Sequence, residues 1–334
     1  RRLALLGDLP EAETVPAKRY EGALVEGVKS FQLRHGLEAD GAIGKQTLAQ
    51  LDVSPAVRVR QIELALERLR WTPLLLGPRM VVVNIPEFTL RAYEIVNSRV
   101  ELKLVTKVIV GRAMKRQTPL FNMEMRFIEF SPYWNVPRSI AKEEIIPRLK
   151  RDPAYFQQEG FEFLNDKGQT LADLSEANLL DVEQGKMRIR QRPGPKNPLG
   201  NIKFVFPNDD NIYLHDTSAR LLFLRSQRDF SHGCIRVQDP VALAKFVLEN
   251  KPEWTDERIQ EAMKKGTSST LRLEEPLPVV IAYNTTIART DGRVYFLPDL
   301  YGKDRLLDGA LRRRSLELKI LRQNNFVLKQ PGAK

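Results

Sequence analysis

The stretch FSHGCIRV, residues 230–237, holds the only cysteine of the chain, Cys234, and one of its three histidines, His232. A second histidine, His215, lies upstream in NIYLHDT. A cysteine reacts as its thiolate, and because the pKa of a free thiol is near ~8.5, it needs an activating neighbour. Histidine usually supplies this help, first as a base and then as an acid toward the leaving amine. The stretch therefore predicts nucleophilic thiol chemistry with two candidate bases.

Gly233 stands directly before the thiol, where the chain must expose the nucleophile. Glycine allows a sharp turn of the backbone, and such a turn frees backbone N–H groups to bind an oxyanion. A helix that begins at Asp239 and Pro240 would direct its N-terminus toward the same region. Both features favour a reactive Cys234.

Two other interpretations of Cys234 stay open on these residues alone. A lone cysteine is most often a small buried hydrophobic side chain. Alternatively, Cys234 belongs to a zinc site, for which the chain offers four acceptable ligands: Cys234, His215, His232 and Asp216. The spacing matches no HExxH motif, and a CxxC motif is impossible with one cysteine.

The elements that must position these residues read mainly as strands. Short segments rich in β-branched and aromatic residues follow one another from residue 80: MVVVNI, TLRAYEIV, ELKLVTKVIVG and MEMRFIEFSP. Their spacing predicts a mostly antiparallel sheet or barrel, and strands resume at NIKFVFPN and NIYLHDT. Between them, residues 139–196 read as a helical, charged insertion that is either a lid over the site or a scaffold decoration. Later, LPVVIAYNTTIA and GRVYFLPDLYG predict two more strands.

The N-terminal part reads as a small helical unit. Val25, Val28 and Phe31 recur at helical spacing, and Asp40 with Gly41 predicts a turn. Ser54 and Pro55 predict the start of a further helix. Residues 20–52 resemble a small peptidoglycan-binding domain in these positions: Val28, Phe31, Gln32, Gly36, Leu37, Asp40, Gly41, Ile43, Gly44, Thr47 and Leu51. We expect His35 to be a surface or helix-end residue.

Composition sets the broad class. Hydrophobic residues make up 42% and charged residues 28% of the 334 residues, as in an ordinary globular protein. The net charge of +11 favours polyanionic partners or a solvated basic surface, but no nucleic-acid-binding motif accompanies it. No run of apolar residues is long enough to span a membrane. Since the chain begins at Arg1 without methionine, we expect a fragment whose targeting segment or membrane anchor lies outside it.

The spacing from His215 to Ser231-His232-Gly233-Cys234-Ile235-Arg236 resembles the signature of L,D-transpeptidases with a YkuD-type catalytic domain. NPLG at 197–200 and Gln117-Thr118-Pro119 add to this resemblance. With its insertion, the chain is similar to the large YcbB-type enzymes of Gram-negative bacteria, in which the insertion caps the site. The resemblance implies an α+β chain: a mostly β, YkuD-like sandwich or barrel with a helical insertion, plus a small all-α peptidoglycan-binding-like domain.

We predict four segments. These are a truncated peptidoglycan-binding-like domain at 1–53, a connecting helix at 54–75, a catalytic domain at 76–285 with its insertion at about 139–196, and a C-terminal strand and basic helix at 286–334.

The resemblance assigns a role to each site residue. Cys234 would be the nucleophile and His215 the base, with the N–H groups of Gly233 and Cys234 in the oxyanion hole. Tyr213 would help to hold the oxyanion, or is an ordinary strand aromatic. Arg236 would bind a substrate carboxylate or brace the loop, and Trp134 would line the pocket or simply pack in the core. Ser231 and His232 would shape the loop. Many family members have glycine after the histidine, whereas this chain has Asp216, which we interpret as a polar turn residue.

The implied reaction is the release of D-alanine from a tetrapeptide stem, followed by formation of a 3→3 diaminopimelate cross-link through a Cys234 thioester. The resemblance implies no metal or organic cofactor, peptidoglycan stem peptides as partners, carbapenems as covalent inhibitors, and the periplasm of a Gram-negative bacterium as the location. The alternatives are a non-catalytic wall-binding scaffold, suggested by residues 20–52, and a zinc-dependent wall peptidase using His215, His232 and Cys234.

Overall fold

The computed structural model describes residues 1–10, 19–72, 76–114 and 116–327, with side chains up to residue 318. These residues divide into two compact units. One, here called the helical unit, contains residues 1–10, 19–72, 84–87 and 282–327. The other, the sheet unit, contains the described residues between 76 and 83 and between 88 and 281. The end of the predicted connecting helix, 73–75, and residues 11–18 of the predicted N-terminal domain lie outside the described residues.

The helical unit is built from short helices whose ends the sequence encodes. Ser54 caps the longest N-terminal helix, since its hydroxyl accepts a hydrogen bond from the Val57 N–H at 3.4 Å, with Pro55 in the first turn. The elements are α1 (Arg2–Leu5), α2 (Ala23–Arg34), α3 (Lys45–Leu51), α4 (Pro55–Leu69), the hairpin β14 (Thr286–Ala288) and β15 (Val294–Phe296), and the basic helix α11 (Lys303–Val327). The predicted helical periodicity of Val28 and Phe31 is confirmed, because both are fully buried. None of the helices in the described parts of the chain is long and apolar enough to cross a membrane.

His35 lies at the C-terminal end of α2, as predicted, but its side chain is buried rather than exposed. Its Nδ1–H donates to the Phe31 carbonyl at 2.7 Å, and its ring stacks on that of Phe31 at 3.9 Å between centroids. Burial lowers the pKa of His35 to about 4. The residue therefore contributes a neutral ring to the core of the helical unit.

The sheet unit contains a nine-stranded sheet, mostly antiparallel as predicted. Its strands are β1 (Arg79–Asn84), β2 (Thr89–Val96), β3 (Arg99–Gly111), β4 (Phe121–Phe130), β9 (Ile202–Val205), β10 (Leu214–His215), β11 (Asp229–Ser231), β12 (Ile235–Val237) and β13 (Ser269–Ala282). The order is β11-β3-β12-β10-β9-β4-β13-β1-β2, and β2 also pairs with β3, which closes the sheet on itself. β10 pairs with β12, and β11 with β3, in parallel orientation.

Two helices complete this unit: α9 (Pro240–Val247) and α10 (Asp256–Lys264). The carboxylate of Asp239 caps α9 by accepting a hydrogen bond from the Ala242 N–H at 3.0 Å, so the predicted helix start is confirmed. The core is filled by alternate strand residues that are fully buried, including Val83, Leu90, Ile109, Met125, Phe204 and Val279. This barrel-like core fixes the strands on which the candidate site stands.

The insertion is a mixed structure, not only the helical segment that we predicted. Its helices are α5 (Arg138–Ile140), a π-helical turn (Ala141–Ile145), α6 (Ile146–Arg151), α7 (Ala154–Gln158) and α8 (Glu176–Gln184). A four-stranded antiparallel sheet accompanies them in the order β5 (Trp134–Asn135), β8 (Met187–Gln191), β6 (Phe161–Asn165) and β7 (Thr170–Leu171). The strands form because apolar residues alternate within this charged segment. In FEFLN, for example, Phe161 and Phe163 are both buried in the insertion's own core.

Candidate active site

The parallel pairing of β10 and β12 brings the candidate residues onto one face of the sheet. Leu214 pairs with Ile235, and the Ile235 N–H donates to the Tyr213 carbonyl at 3.0 Å. Leu214 and Ile235 are fully buried in the core. Because side chains alternate along a strand, their neighbours face the other way, and these neighbours line one cavity: Tyr213, His215, Cys234 and Arg236. The sequence thus specifies a reactive face by alternation on two neighbouring strands.

The cavity has a volume of about 930 Å³ and lies between these strands and the insertion. Its wall includes Trp134, which also packs against the insertion core. Basic side chains dominate its charged lining: Arg116, Arg138, Arg188, Lys203 and Arg236, against Glu143 and Asp210. The insertion therefore contributes a wall of the site, and the cavity suits a ligand with several carboxylates.

The thiol of Cys234 is held as a neutral group in this environment. Burial raises its pKa above the ordinary value, although the Tyr213 backbone and hydroxyl, Lys203 and Arg236 each counter part of this effect. The Sγ–H donates to the Asn211 carbonyl at 3.6 Å. At neutral pH the thiol consequently keeps its proton until a base removes it.

His215 is buried and is also neutral at rest. Its Nδ1–H donates to the backbone carbonyl of Asp216 at 2.5 Å, so the neutral ring keeps its lone pair on Nε2. Burial, followed by repulsion from Arg236, lowers its pKa to about 3, while the carbonyls of Asp216 and Leu199 oppose the shift. This neutral imidazole lines the same cavity as the thiol and can accept a proton there.

Tyr213 contacts both reactive groups and one cation of the lining. Its ring meets that of His215 edge-on, with 5.7 Å between centroids. Burial raises its pKa well above the ordinary value, and the neighbouring Cys234 adds to this effect, so the phenol stays a hydrogen-bond donor. The Nζ of Lys203 lies 4.5 Å from the ring centroid, and Lys203 pairs with Glu129 at 3.1 Å. Lys203 was not predicted, although the β9–β10 register places it opposite His215.

The loop before Cys234 is tied together by its own side chains. The Ser231 hydroxyl donates to the Cys234 carbonyl at 2.5 Å and accepts from the Gly233 N–H at 3.1 Å. Gly233 has φ of 125°, a conformation that favours glycine. The Thr118 hydroxyl donates to the Gly233 carbonyl at 2.7 Å. One of the two N–H groups predicted for the oxyanion hole, that of Gly233, is thus engaged by Ser231 in this state.

His232 lines the same cavity and is bonded to the insertion. Its Nε2–H donates to the carboxylate of Glu144, on the π-helical turn, at 2.7 Å. Arg116 reaches the same turn, since it forms an ion pair with Glu143 and lies 3.8 Å from Glu144. Of the two candidate bases, His215 therefore shares the face of Cys234, whereas His232 joins the nucleophile loop to the insertion.

Arg236 completes the reactive face with an unused donor. Its Nε is buried and has no hydrogen-bond partner among the described residues. Burial lowers the pKa of its guanidinium, and the Cys234 charge opposes that shift. The Nε is enclosed by protein, whereas the residue as a whole lines the cavity, and a guanidinium there is suited to a carboxylate ligand.

Asp216 is more than the polar turn residue that we expected. Its buried carboxylate accepts hydrogen bonds from the Asn201 N–H at 3.0 Å and from Arg220 Nη2 at 2.5 Å. A side chain at Gly200 would come within 2.4 Å of this carboxylate, which explains the glycine in NPLG. The sequence signal was the aspartate itself, at a position where we expected glycine.

The alternative zinc ligands, Cys234, His215, His232 and Asp216, do not form a metal-binding group among the described residues. Within the described ranges, no group of three or more histidine, cysteine, aspartate and glutamate side chains could hold a metal ion. His232 is directed to Glu144, and the Asp216 carboxylate to Asn201 and Arg220. The donor chemistry of the site is that of a thiol, an imidazole and a phenol.

Known families match both parts of the chain. Residues 78–281 match the YkuD family, described as an L,D-transpeptidase catalytic domain, and residues 1–51 match a family described as "Putative peptidoglycan binding domain". The first match takes in more than half of the chain and every residue of the reactive face.

One curated relative and two solved structures are similar to this chain. A curated Haemophilus influenzae protein named "Putative L,D-transpeptidase" is 35% identical over 236 residues, which are 69% of this chain and 45% of that protein. The chain thus spans slightly less than half the length of this relative. The solved L,D-transpeptidase (Yku) from Stackebrandtia nassauensis is 14% identical over 85% of this chain and 91% of its own, with a TM-score of 0.31. A fused Zn-dependent amidase/peptidase with a peptidoglycan-binding domain from Clostridium acetobutylicum is 10% identical over 84% and 94%, with a TM-score of 0.26. At such TM-scores neither structural likeness carries an argument.

Proposed function

This chain belongs to the L,D-transpeptidase family, and on that premise we propose that it forms 3→3 diaminopimelate cross-links in peptidoglycan. The observation that supports this most is the shared face of Cys234, His215 and Tyr213 on two paired parallel strands at the wall of a basic cavity. The donor is a tetrapeptide stem, and the bond broken joins the L-centre of diaminopimelate to D-alanine. From the resemblance to the YcbB-type enzymes we propose the periplasm of a Gram-negative bacterium as its location, with the helical unit binding the wall.

The first step is acylation of the thiol. As Cys234 Sγ attacks the carbonyl carbon, its proton passes to His215 Nε2, because thiol and imidazole are both neutral beforehand. The oxyanion of the tetrahedral intermediate accepts hydrogen bonds from the Cys234 N–H and the Tyr213 hydroxyl. The imidazolium then gives its proton to the leaving amine, D-alanine departs, and a thioester remains.

The second step reverses these roles. A side-chain amine of another stem's diaminopimelate attacks the thioester carbonyl, and His215 Nε2 accepts its proton. The new tetrahedral intermediate collapses to an amide, and the thiolate recovers its proton from the imidazolium. Repulsion from Arg236 and Lys203 keeps the imidazolium short-lived, since both cations lower the pKa of His215.

The basic lining supports a stem peptide as the ligand. Arg236 would bind one stem carboxylate, and the other cavity cations would accommodate the rest. When that carboxylate neutralises Arg236, the pKa of His215 rises, and the base becomes stronger in the occupied site.

The decisive experiment is mass spectrometry of the products formed from defined disaccharide-tetrapeptides. The wild-type chain should release D-alanine and form 3→3 dimers, whereas Cys234→Ala and His215→Gln should not. A meropenem adduct on Cys234 would support the same thiol chemistry. Retained turnover in Cys234→Ala, or loss of turnover with a chelator, would favour a zinc peptidase. Binding to sacculi without turnover or adduct would favour a scaffold.

A further inference from the structure

The strands that present the nucleophile and the base are very short, yet their ends are tied together. β10 is Leu214–His215 and β12 is Ile235–Val237. Arg220 joins the residues that follow them: its Nη2 donates to the Asp216 carboxylate at 2.5 Å, and its Nη1 donates to the Gln238 carbonyl at 2.5 Å. One guanidinium therefore spans the ends of both strands.

Asp216 is itself fixed from three directions. Its N–H donates to the Ile202 carbonyl at 2.9 Å, and its carboxylate accepts from the Asn201 N–H at 3.0 Å as well as from Arg220. The carboxylate side chain is only 4% exposed. The carbonyl of this immobilised residue accepts the hydrogen bond from His215 Nδ1. The position of that carbonyl decides where the imidazole ring points.

We propose that Asp216 and Arg220 are positioning residues that hold the His215 ring, in its Nδ1–H tautomer, at the cavity wall that it shares with Cys234. Neither residue lines the cavity, so both act through His215 rather than through the substrate. The planar fork of arginine makes both contacts at once, whereas a lysine could make only one of them well. The catalytic part of this inference rests on the proposed function, whereas the tautomer of His215 is independent of it.

The kinetic test uses Arg220→Gln, Arg220→Lys and Asp216→Asn, with Arg312→Gln as the control. Arg312 also pairs with an aspartate four residues before it, Asp308 at 2.9 Å, but it lies on α11. Because a small displacement of a catalytic group costs up to ~100-fold, Arg220→Gln should lower kcat about 10- to 100-fold with KM within twofold. Arg220→Lys should restore part of the rate. Rates are divided by the fraction of folded, titratable thiol, since Asp216 is buried and its variant can lose folded protein.

A kcat equal to that of the control would overturn the proposal. So would a raised KM with unchanged kcat, which would mean that Arg220 contacts the substrate. A loss that disappears after correction for folded thiol would mean that the pair supports only folding, and would overturn it too.

A second measurement is independent of transpeptidation. With three histidines in the chain, ¹⁵N-labelled imidazole spectra can be assigned by single substitutions. The wild-type protein at neutral pH should show His215 in the Nδ1–H tautomer, and Arg220→Gln should show a mixture of tautomers. An unchanged tautomer in Arg220→Gln would overturn the proposal whatever the kinetics. If the wild-type chain forms no cross-links, the proposed function fails, but these spectra still decide the positioning role.

Discussion

The carboxylate of Glu144 accepts a hydrogen bond from His232 Nε2 at 2.7 Å, which joins the π-helical turn of the insertion to the loop before the nucleophile. Arg116 reinforces this contact from a third segment by pairing with Glu143. The insertion and the nucleophile loop therefore share polar contacts at the cavity wall.

Loosening this contact should open the insertion more often. Glu144→Ala removes a partly exposed charged hydrogen bond worth about 1 kcal/mol, so hydrogen exchange of residues 138–151 should accelerate about fivefold. Exchange followed by mass spectrometry measures this directly. Glu124→Ala is the control, since it removes an exposed pair with Arg126 at 2.8 Å on β4. Exchange rates identical to wild type would show that the hydrogen bond between Glu144 and His232 does not hold the insertion.

Removing the Tyr213 hydroxyl should weaken oxyanion binding and should also raise the pKa of the Cys234 thiol. Tyr213→Phe should lower kcat about 10- to 100-fold with little change in KM, as expected for a donor used in the transition state. Because the hydroxyl lowers the pKa of Cys234, the pH profile of iodoacetamide alkylation should also move upward. Tyr155→Phe, on α7 in the insertion, is the matched control. A Tyr213→Phe enzyme with normal kcat would leave the residue as a simple packing aromatic.

The pH dependence should differ between free and occupied enzyme. The pKa of His215 lies at about 3, below the ordinary value, so the base is neutral above that pH and is lost only as the pH falls through it. Activity should accordingly persist at pH 5. A substrate carboxylate on Arg236 removes the second largest cause of this lowering. The acid limb of kcat should therefore lie at higher pH than that of kcat/KM. The reverse order of the two limbs would contradict binding of a carboxylate beside His215.

Arg236 should matter only for stems that carry the matching carboxylate. Arg236→Gln should lower kcat/KM about 10- to 100-fold, because charged hydrogen bonds contribute about 1.5–3 kcal/mol. Stems with single carboxamide replacements identify the partner: for one of them the wild-type enzyme should fall to the level of the variant, and the two losses should not add. Arg126→Gln, exposed on β4, serves as control. Additive losses for every carboxamide stem would mean that Arg236 braces the loop instead.

Much of this site follows from local sequence, and the remainder depends on distant pairing. Alternation alone places Tyr213 and His215 on one side of a strand, and the glycine before Cys234 is needed for a backbone φ of 125°. The neighbourhood of His215 and Cys234 requires the parallel pairing of β10 with β12, which no local pattern encodes. The same holds for the contact between Glu144 and His232. The strands of the insertion were missed because charged residues concealed the alternation around Phe161 and Phe163.

The place of β12 within the sheet also bears on how the protein folds. This strand lies between β10 and β3, and Arg236 pairs with Ile109 from a far earlier part of the chain. Such non-local pairing carries a loop-closure cost and forms slowly. We therefore expect that the Cys234 thiol is not buried beside Tyr213 until β3 has paired with β12. During refolding, protection of this thiol from alkylation should therefore mark the closure of the barrel. It should come later than the formation of the helices, which depend on local segments.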